Sequence, residues 1–201
     1  MFRIVVLSFI CLTFFLPNIA QAQLTISFGP RVGVNFTNLV GEDSQAEGKT
    51  GLVLGLTATH SINEKSGVGV GLLYSQEGAK SSAGVVTDLN YVRVPITIKQ
   101  FFGSWKDDFR PKIYAGIVPG LLLQTKVDDN EVEDLYNEID VAATVGGGFN
   151  YRVSTGQQAI WLNVDLRYWR GITDLLDELD NVELYNQNFQ LSVGLAFGLS
   201  Q

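Results

Sequence analysis

The stretch Phe189-Gln190-Leu191-Ser192-Val193-Gly194-Leu195-Ala196-Phe197-Gly198-Leu199-Ser200 decides the fold. Phe189, Leu191, Val193, Leu195, Phe197 and Leu199 take every second position, and small or polar residues take the others. Successive side chains of a strand point to opposite faces, so this order makes one apolar face and one small, polar face. Wound as a helix, the same residues would scatter both kinds around the axis.

Working back from that segment, the same alternation recurs seven times. Val32, Val34 and Phe36 oppose Arg31, Gly33 and Asn35; Leu52, Leu54 and Leu56 oppose Val53, Gly55 and Thr57. Val68, Val70, Leu72 and Tyr74 oppose Gly69, Gly71, Leu73, Ser75 and Glu77, and Val92, Val94, Ile96 and Ile98 oppose Arg93, Pro95, Thr97 and Lys99. A fifth segment, 112–124, is apolar on both faces. The sixth sets Val141, Ala143, Val145 and Phe149 against Thr144, Gly146, Gly148 and Asn150. The seventh sets Ile160, Leu162, Val164, Leu166 and Tyr168 against Trp161, Asn163, Asp165, Arg167 and Trp169. Eight segments satisfy the even count of a single-chain bacterial barrel.

The connections divide into long ones (40–50, 80–88, 125–140, 170–186) and short ones (62–67, 103–110, 152–158), in strict alternation. The long set carries charges of −2, 0, −6 and −4, while the short set is neutral or slightly basic. Short turns at one end and long loops at the other are what an up-and-down barrel across a membrane requires. The expected fold is therefore all-β: an eight-stranded antiparallel up-and-down transmembrane β-barrel with short periplasmic turns and long extracellular loops. Pro30, Pro95 and Pro119 fall inside expected strands, where each removes a ladder donor, and β-bulges are expected to accommodate them.

A soluble barrel of lipocalin type would alternate equally well, but it needs a wet outer face. With Lys112 counted in the turn before it, the eight segments hold six charges, Arg31, Glu77, Arg93, Lys99, Asp165 and Arg167, all on the less apolar face. A charge facing lipid costs about 2–4 kcal/mol near the midplane, so the apolar face reads as lipid-facing. Arg31, Glu77, Arg93, Asp165 and Arg167 are then expected inside, paired across a lumen too narrow for a water channel. Lys99 is expected to be solvated at a barrel mouth.

Before the first strand lies a different pattern. Arg3, an apolar run over 4–16, Pro17 and the Ala20-Gln21-Ala22 site have the layout of a secretory signal peptide over 1–22, leaving a barrel domain over 23–201. Cys11, the chain's single cysteine, leaves with it, which excludes disulfide staples and thiolate metal sites in the remainder. Removal of Arg3 leaves 13 basic and 21 acidic residues, a balance that argues against a nucleic-acid partner.

Several stretches resemble the outer-membrane β-barrel domain family that includes the PorT-like proteins. They are Gly33-Val34-Asn35-Phe36-Thr37-Asn38-Leu39, Leu73-Tyr74-Ser75-Gln76-Glu77-Gly78-Ala79-Lys80, the Tyr-x-x-x-Pro strand beginning at Tyr91, Tyr114-Ala115-Gly116, and Gly146-Gly147-Gly148-Phe149. The resemblance implies the cell outer membrane, and lipid as the surrounding medium. It implies no single activity, since some members are linked to protein secretion.

Three kinds of function are compatible with these residues. One is a non-enzymatic barrel that supports the envelope or meets a protein partner through the loops at 125–140 and 170–186, which carry leucines among their acids. Another is an accessory part of a secretion system. The third, a lipid-modifying enzyme, needs a base; the single histidine, His60, falls by alternation on the lipid side at the turn end, and no catalytic residue is expected. Asp128, Asp129, Glu131, Glu133, Asp134, Glu138 and Asp140 are hard-oxygen candidates for a divalent cation, but they lack EF-hand spacing and read as a solvated acidic loop. No cofactor is expected.

Overall fold

The computed structural model describes residues 25–41, 46–81, 84–128, 130–131, 137–154, 159–175 and 184–199. The expected signal segment lies outside them. The chain forms β1 (Thr25–Gly41), β2 (Ala46–Ser61), β3 (Ser66–Ser81), β4 (Val86–Arg93), β5 (Ile96–Phe101), β6 (Phe109–Val127), β7 (Asn130–Glu131), β8 (Ile139–Ser154), β9 (Ile160–Gly171) and β10 (Leu184–Leu199).

Every pairing is antiparallel, and the sheet closes on itself. From β1 the hydrogen bonds run through β10, β9, β8 and β6 to β4 and β5, then to β3, β2 and back to β1. The short β4 and β5 share one place in this ring, since both pair with β3 on one side and β6 on the other. The two-residue β7 is a spur on β6.

The prolines explain the break between β4 and β5, and they correct the expectation of bulges. The register between these strands and β6 is the same on both sides of the break: Arg93 faces Gly120 and Ile96 faces Ile117. Pro95 and Pro119 therefore fall in one gap, and the missing donors cost the ladder a single interruption. The Val94 N–H still donates to the Pro119 carbonyl at 2.8 Å. Pro30 keeps its place opposite Leu56, again without a shift. The register shifts lie elsewhere, at Gly48/Val53, Asn90/Tyr91 and Arg152/Ser154.

The strands also run further than their apolar alternation. β1 reaches Gly41 and β2 begins at Ala46, so most of the long connection expected over 40–50 is strand, as is the edge of the one expected over 80–88. The ladder needs only backbone partners, so it continues after the outward residues turn polar, as at Gln76 and Lys80. A spanning strand needs about 9–11 residues, and strands of 16 and 17 carry the wall beyond that.

Burial is inverted relative to a water-soluble protein. Leu56, Leu72 and Ile98 on the outer face are 60%, 59% and 72% exposed, whereas Arg93, Asp140 and Asn35 on the inner face are completely covered. At the loop end the inside becomes apolar: Leu39, Ala79, Leu89, Tyr91 and Leu175 pack together, with Leu122 and Leu184 against them. Leu175, from the connection after β9, is held in this plug by its own backbone. Its N–H donates to the Leu184 carbonyl and its carbonyl accepts from the Asn137 N–H, both at 2.9 Å.

Candidate functional site

Beneath the plug lies a first charged cluster. The Arg93 guanidinium donates to both Glu77 oxygens, from Nε at 3.0 Å and Nη2 at 2.6 Å, and its Nη1 lies 2.6 Å from Asp140 Oδ2. The Glu77 carboxylate also accepts from the Ser75 hydroxyl at 2.7 Å and from the Asn186 amide. Arg93 stands 4.0 Å over the Tyr91 ring. Register brings these residues together: Arg93 faces Gly120, Gly120 faces Asp140, and Leu89, two residues before Tyr91, faces Glu77. A Cβ on Gly120 would lie 2.4 Å from Arg93 Nη1, so the glycine is what leaves the guanidinium its space.

A second cluster lies toward the turn end. Asp165 answers two cations, Arg31 at 2.8 Å and Lys112 at 3.1 Å. Lys112 also donates to Asn150 at 2.6 Å, and Arg31 to Ser192 at 3.2 Å. Arg167 has no ion pair among the described residues; it rests 5.2 Å over the Tyr114 ring. Lys99 is buried rather than solvated, which corrects the expectation for it. β5 continues two residues past it toward the turn, to the inward Phe101, and the Lys99 ammonium donates to Thr59 Oγ1 at 2.7 Å.

The structure thus places Arg31, Glu77, Arg93, Asp165 and Arg167 in the lumen, in two clusters rather than one. Alternation missed Arg110, Lys112 and Asp140, all buried. Each lies where a connection or an ambiguous segment was expected. The missed signal was continuity: Arg110 and Lys112 extend the inward phase of Tyr114, and Asp140 extends that of Ala142. Asp140 is therefore a partner of Arg93 and not a ligand in a solvated loop. Of the other acids there, Asp129, Glu133, Asp134 and the side chain of Glu131 lie outside the described residues, as do Leu135, Tyr136, Leu176 and Leu179 of the two acidic loops. Asp128 accepts from the Val86 N–H at 2.9 Å. His60, opposite Ile26 and Val68, makes no side-chain hydrogen bond from its buried Nδ1 among the described residues.

At the turn end the lumen opens into a cavity of about 270 Å³. Arg31, Lys99, Arg110, Lys112 and Arg152 line it, with Phe101, Trp105 and Trp161 among its aromatic walls. Two turns close over its rim. Glu64, between β2 and β3, accepts from the Ser104 hydroxyl at 2.5 Å and the Trp105 N–H at 3.0 Å, both between β5 and β6. Those hydrogen bonds hold the Glu64 carboxyl below its ordinary value.

The sequence model of a family described as outer membrane protein beta-barrel domain matches residues 20–177, well over half of the chain. None of the curated proteins matches in sequence. Among solved structures, Neisserial surface protein A is similar at 15% identity with a TM-score of 0.57, over 84% of this chain and 95% of that one. OprG from Pseudomonas aeruginosa is similar at 13% identity with a TM-score of 0.57, over 90% and 98%. At these identities the two structures speak to fold alone.

Proposed function

From the premise that this chain belongs to the outer membrane protein beta-barrel domain family, we propose that it is an eight-stave barrel spanning the outer membrane, with its short turns in the periplasm. Its role in this reading is non-enzymatic: support of the envelope or contact with a protein partner through the outer ends of 125–140 and 170–186. The observation that carries the reading is the inverted burial, charged and amide side chains covered in the lumen inside an apolar wall. Such a wall is stable only in lipid or detergent, because exposed apolar patches of this extent drive association in water. The plug around Leu175 packs the loop end of the lumen, so the cavity at the turn end does not continue into a through path.

Catalysis is disfavoured by the surroundings of the one histidine. His60 stands on the outer face, away from the buried carboxylates, with no described nucleophile bonded to it. Planar-bilayer recording together with removal of residues 174–181 tests the proposal. The expected results are no large steady conductance and loss of the knockout-complementing phenotype on deletion. Steady large conductance, or full complementation by the deletion variant, would overturn it. An accessory role in secretion is the alternative that the PorT-like segments favour, and secretion in a knockout strain separates the two.

A further inference from the structure

We infer that the cavity at the turn end is a binding site for a small phosphate-bearing anion that enters from water. The first ground is charge. Around the inner part of the cavity stand Arg31, Lys99, Lys112 and, just beyond, Arg167, and the only described carboxylate among them is Asp165. These four basic side chains outnumber that carboxylate by three. Burying unpaired charge is costly, and a multiply charged anion removes the imbalance.

The second ground is how the guanidinium groups are held. Arg110 rests 4.8 Å over the Phe101 ring and Arg152 4.7 Å over Trp161. A ring face holds the flat of each guanidinium, and one Nη2 of each donates to a turn carbonyl, Arg110 to Glu64 at 2.5 Å and Arg152 to Trp105, so both groups are fixed in place. The Nε groups of Arg31, Arg110 and Arg152 are buried with no hydrogen-bond partner among the described residues. At the rim, Asp108 lies 3.6 Å from Arg152, but it is mostly exposed and faces solvent. The Nε donors left on these fixed guanidinium groups can meet phosphate oxygens, and the Lys99 amine adds a further donor.

Size and position choose the source. A volume of about 270 Å³ falls just under the ~300 Å³ lower bound of ordinary ligand pockets, so a phosphate or small phosphate ester fits and a whole lipid does not. The cavity also lies inside the ring of strands, whereas a lipid headgroup would have to cross the rim.

Calorimetry on the full chain in zwitterionic micelles, in phosphate-free buffer of low salt, tests this with inorganic phosphate as the probe. The expected result is saturable one-site binding. Lys99→Gln and, at the mouth, Arg110→Gln should each raise Kd at least tenfold, whereas Lys80→Gln at the far end should leave it within twofold. Without any variant, phosphate should raise the unfolding midpoint of the native chain more than chloride at equal ionic strength. Absence of saturable binding, or an unchanged Kd in both cavity variants of confirmed folded state, overturns the proposal. Binding seen only with phosphatidylglycerol-containing vesicles, and never with inorganic phosphate, also overturns it by assigning the site to a lipid headgroup.

Discussion

Arg93 is the residue on which the upper lumen depends, because it neutralises Glu77 and Asp140 together. Removing it strands two buried carboxylates, and breaking a buried pair from one side costs about 3–5 kcal/mol. Arg93→Met should therefore lower stability by about that amount in urea unfolding from lipid vesicles. Adding Glu77→Met to it should cost less than the sum of the two single changes, by a coupling of about 0.5–3 kcal/mol. Additivity would show that the two residues do not share their charge. Gly120 tests the same cluster sterically: the clamp on Glu77 stops Arg93 from yielding, so Gly120→Ala should cost about 1–3 kcal/mol. Gly147→Ala is the comparison, since its added Cβ meets nothing closer than 3.4 Å and should be nearly neutral. At this scale the sequence was legible wherever a charge sat among Gly, Ser and Asn at period two, as Arg31 and Asp165 do. It was not legible at Asp140, whose acidic neighbours made it look solvated although its phase continues that of Ala142.

Among the elements, the turns are more than connectors. The β2–β3 turn caps itself through Asn63, whose side-chain oxygen accepts the Lys65 and Ser66 N–H groups at 2.8 Å, and this leaves Glu64 free to hold the next turn at Ser104 and Trp105. Because the folded-state value of Glu64 is lowered, its contribution is fully present above the ordinary glutamate value and is lost as pH falls through the lowered one. Trp105 fluorescence followed downward in pH should report the clamp opening in acid, and Glu64→Gln should remove that transition. A Trp105 signal with the same acid transition in the variant would assign it to another group. Strand phase was readable from alternation in every segment but the fifth, which is apolar on both faces. Strand length was not, because backbone pairing persists where side-chain alternation stops. Nor was the answer to the prolines, because their meeting in one gap depends on the register between strands distant in sequence.

For the whole molecule, the apolar plug and the charged clusters divide the labour of filling the lumen. Leu175 is completely buried and belongs to a connection, so its side chain ties that loop to the barrel interior. Leu175→Ala should cost about 2–5 kcal/mol, the usual range for such a truncation. In an Ala79→Cys background it should also speed thiol labelling from the loop side, and an unchanged labelling rate would show that other residues close that end. The leucines of this connection stood out in the sequence as too many for a purely solvated loop. Their destination did not, because nothing local says whether a loop leucine turns outward to a partner or inward to its own barrel.

The closed loop end and the open turn end together make the lumen a blind well. Whatever enters it leaves by the door through which it came, so its occupancy tracks the solute concentration on one side of the membrane and is deaf to the other. In the proposed orientation, with the turns in the periplasm, Lys99 and Arg110 sample the contents of that compartment only. An impermeant amine-reactive reagent applied to intact cells then spares Lys99, while the same reagent admitted to the periplasm competes with any anion seated there. The barrel has two faces but a single chemical horizon.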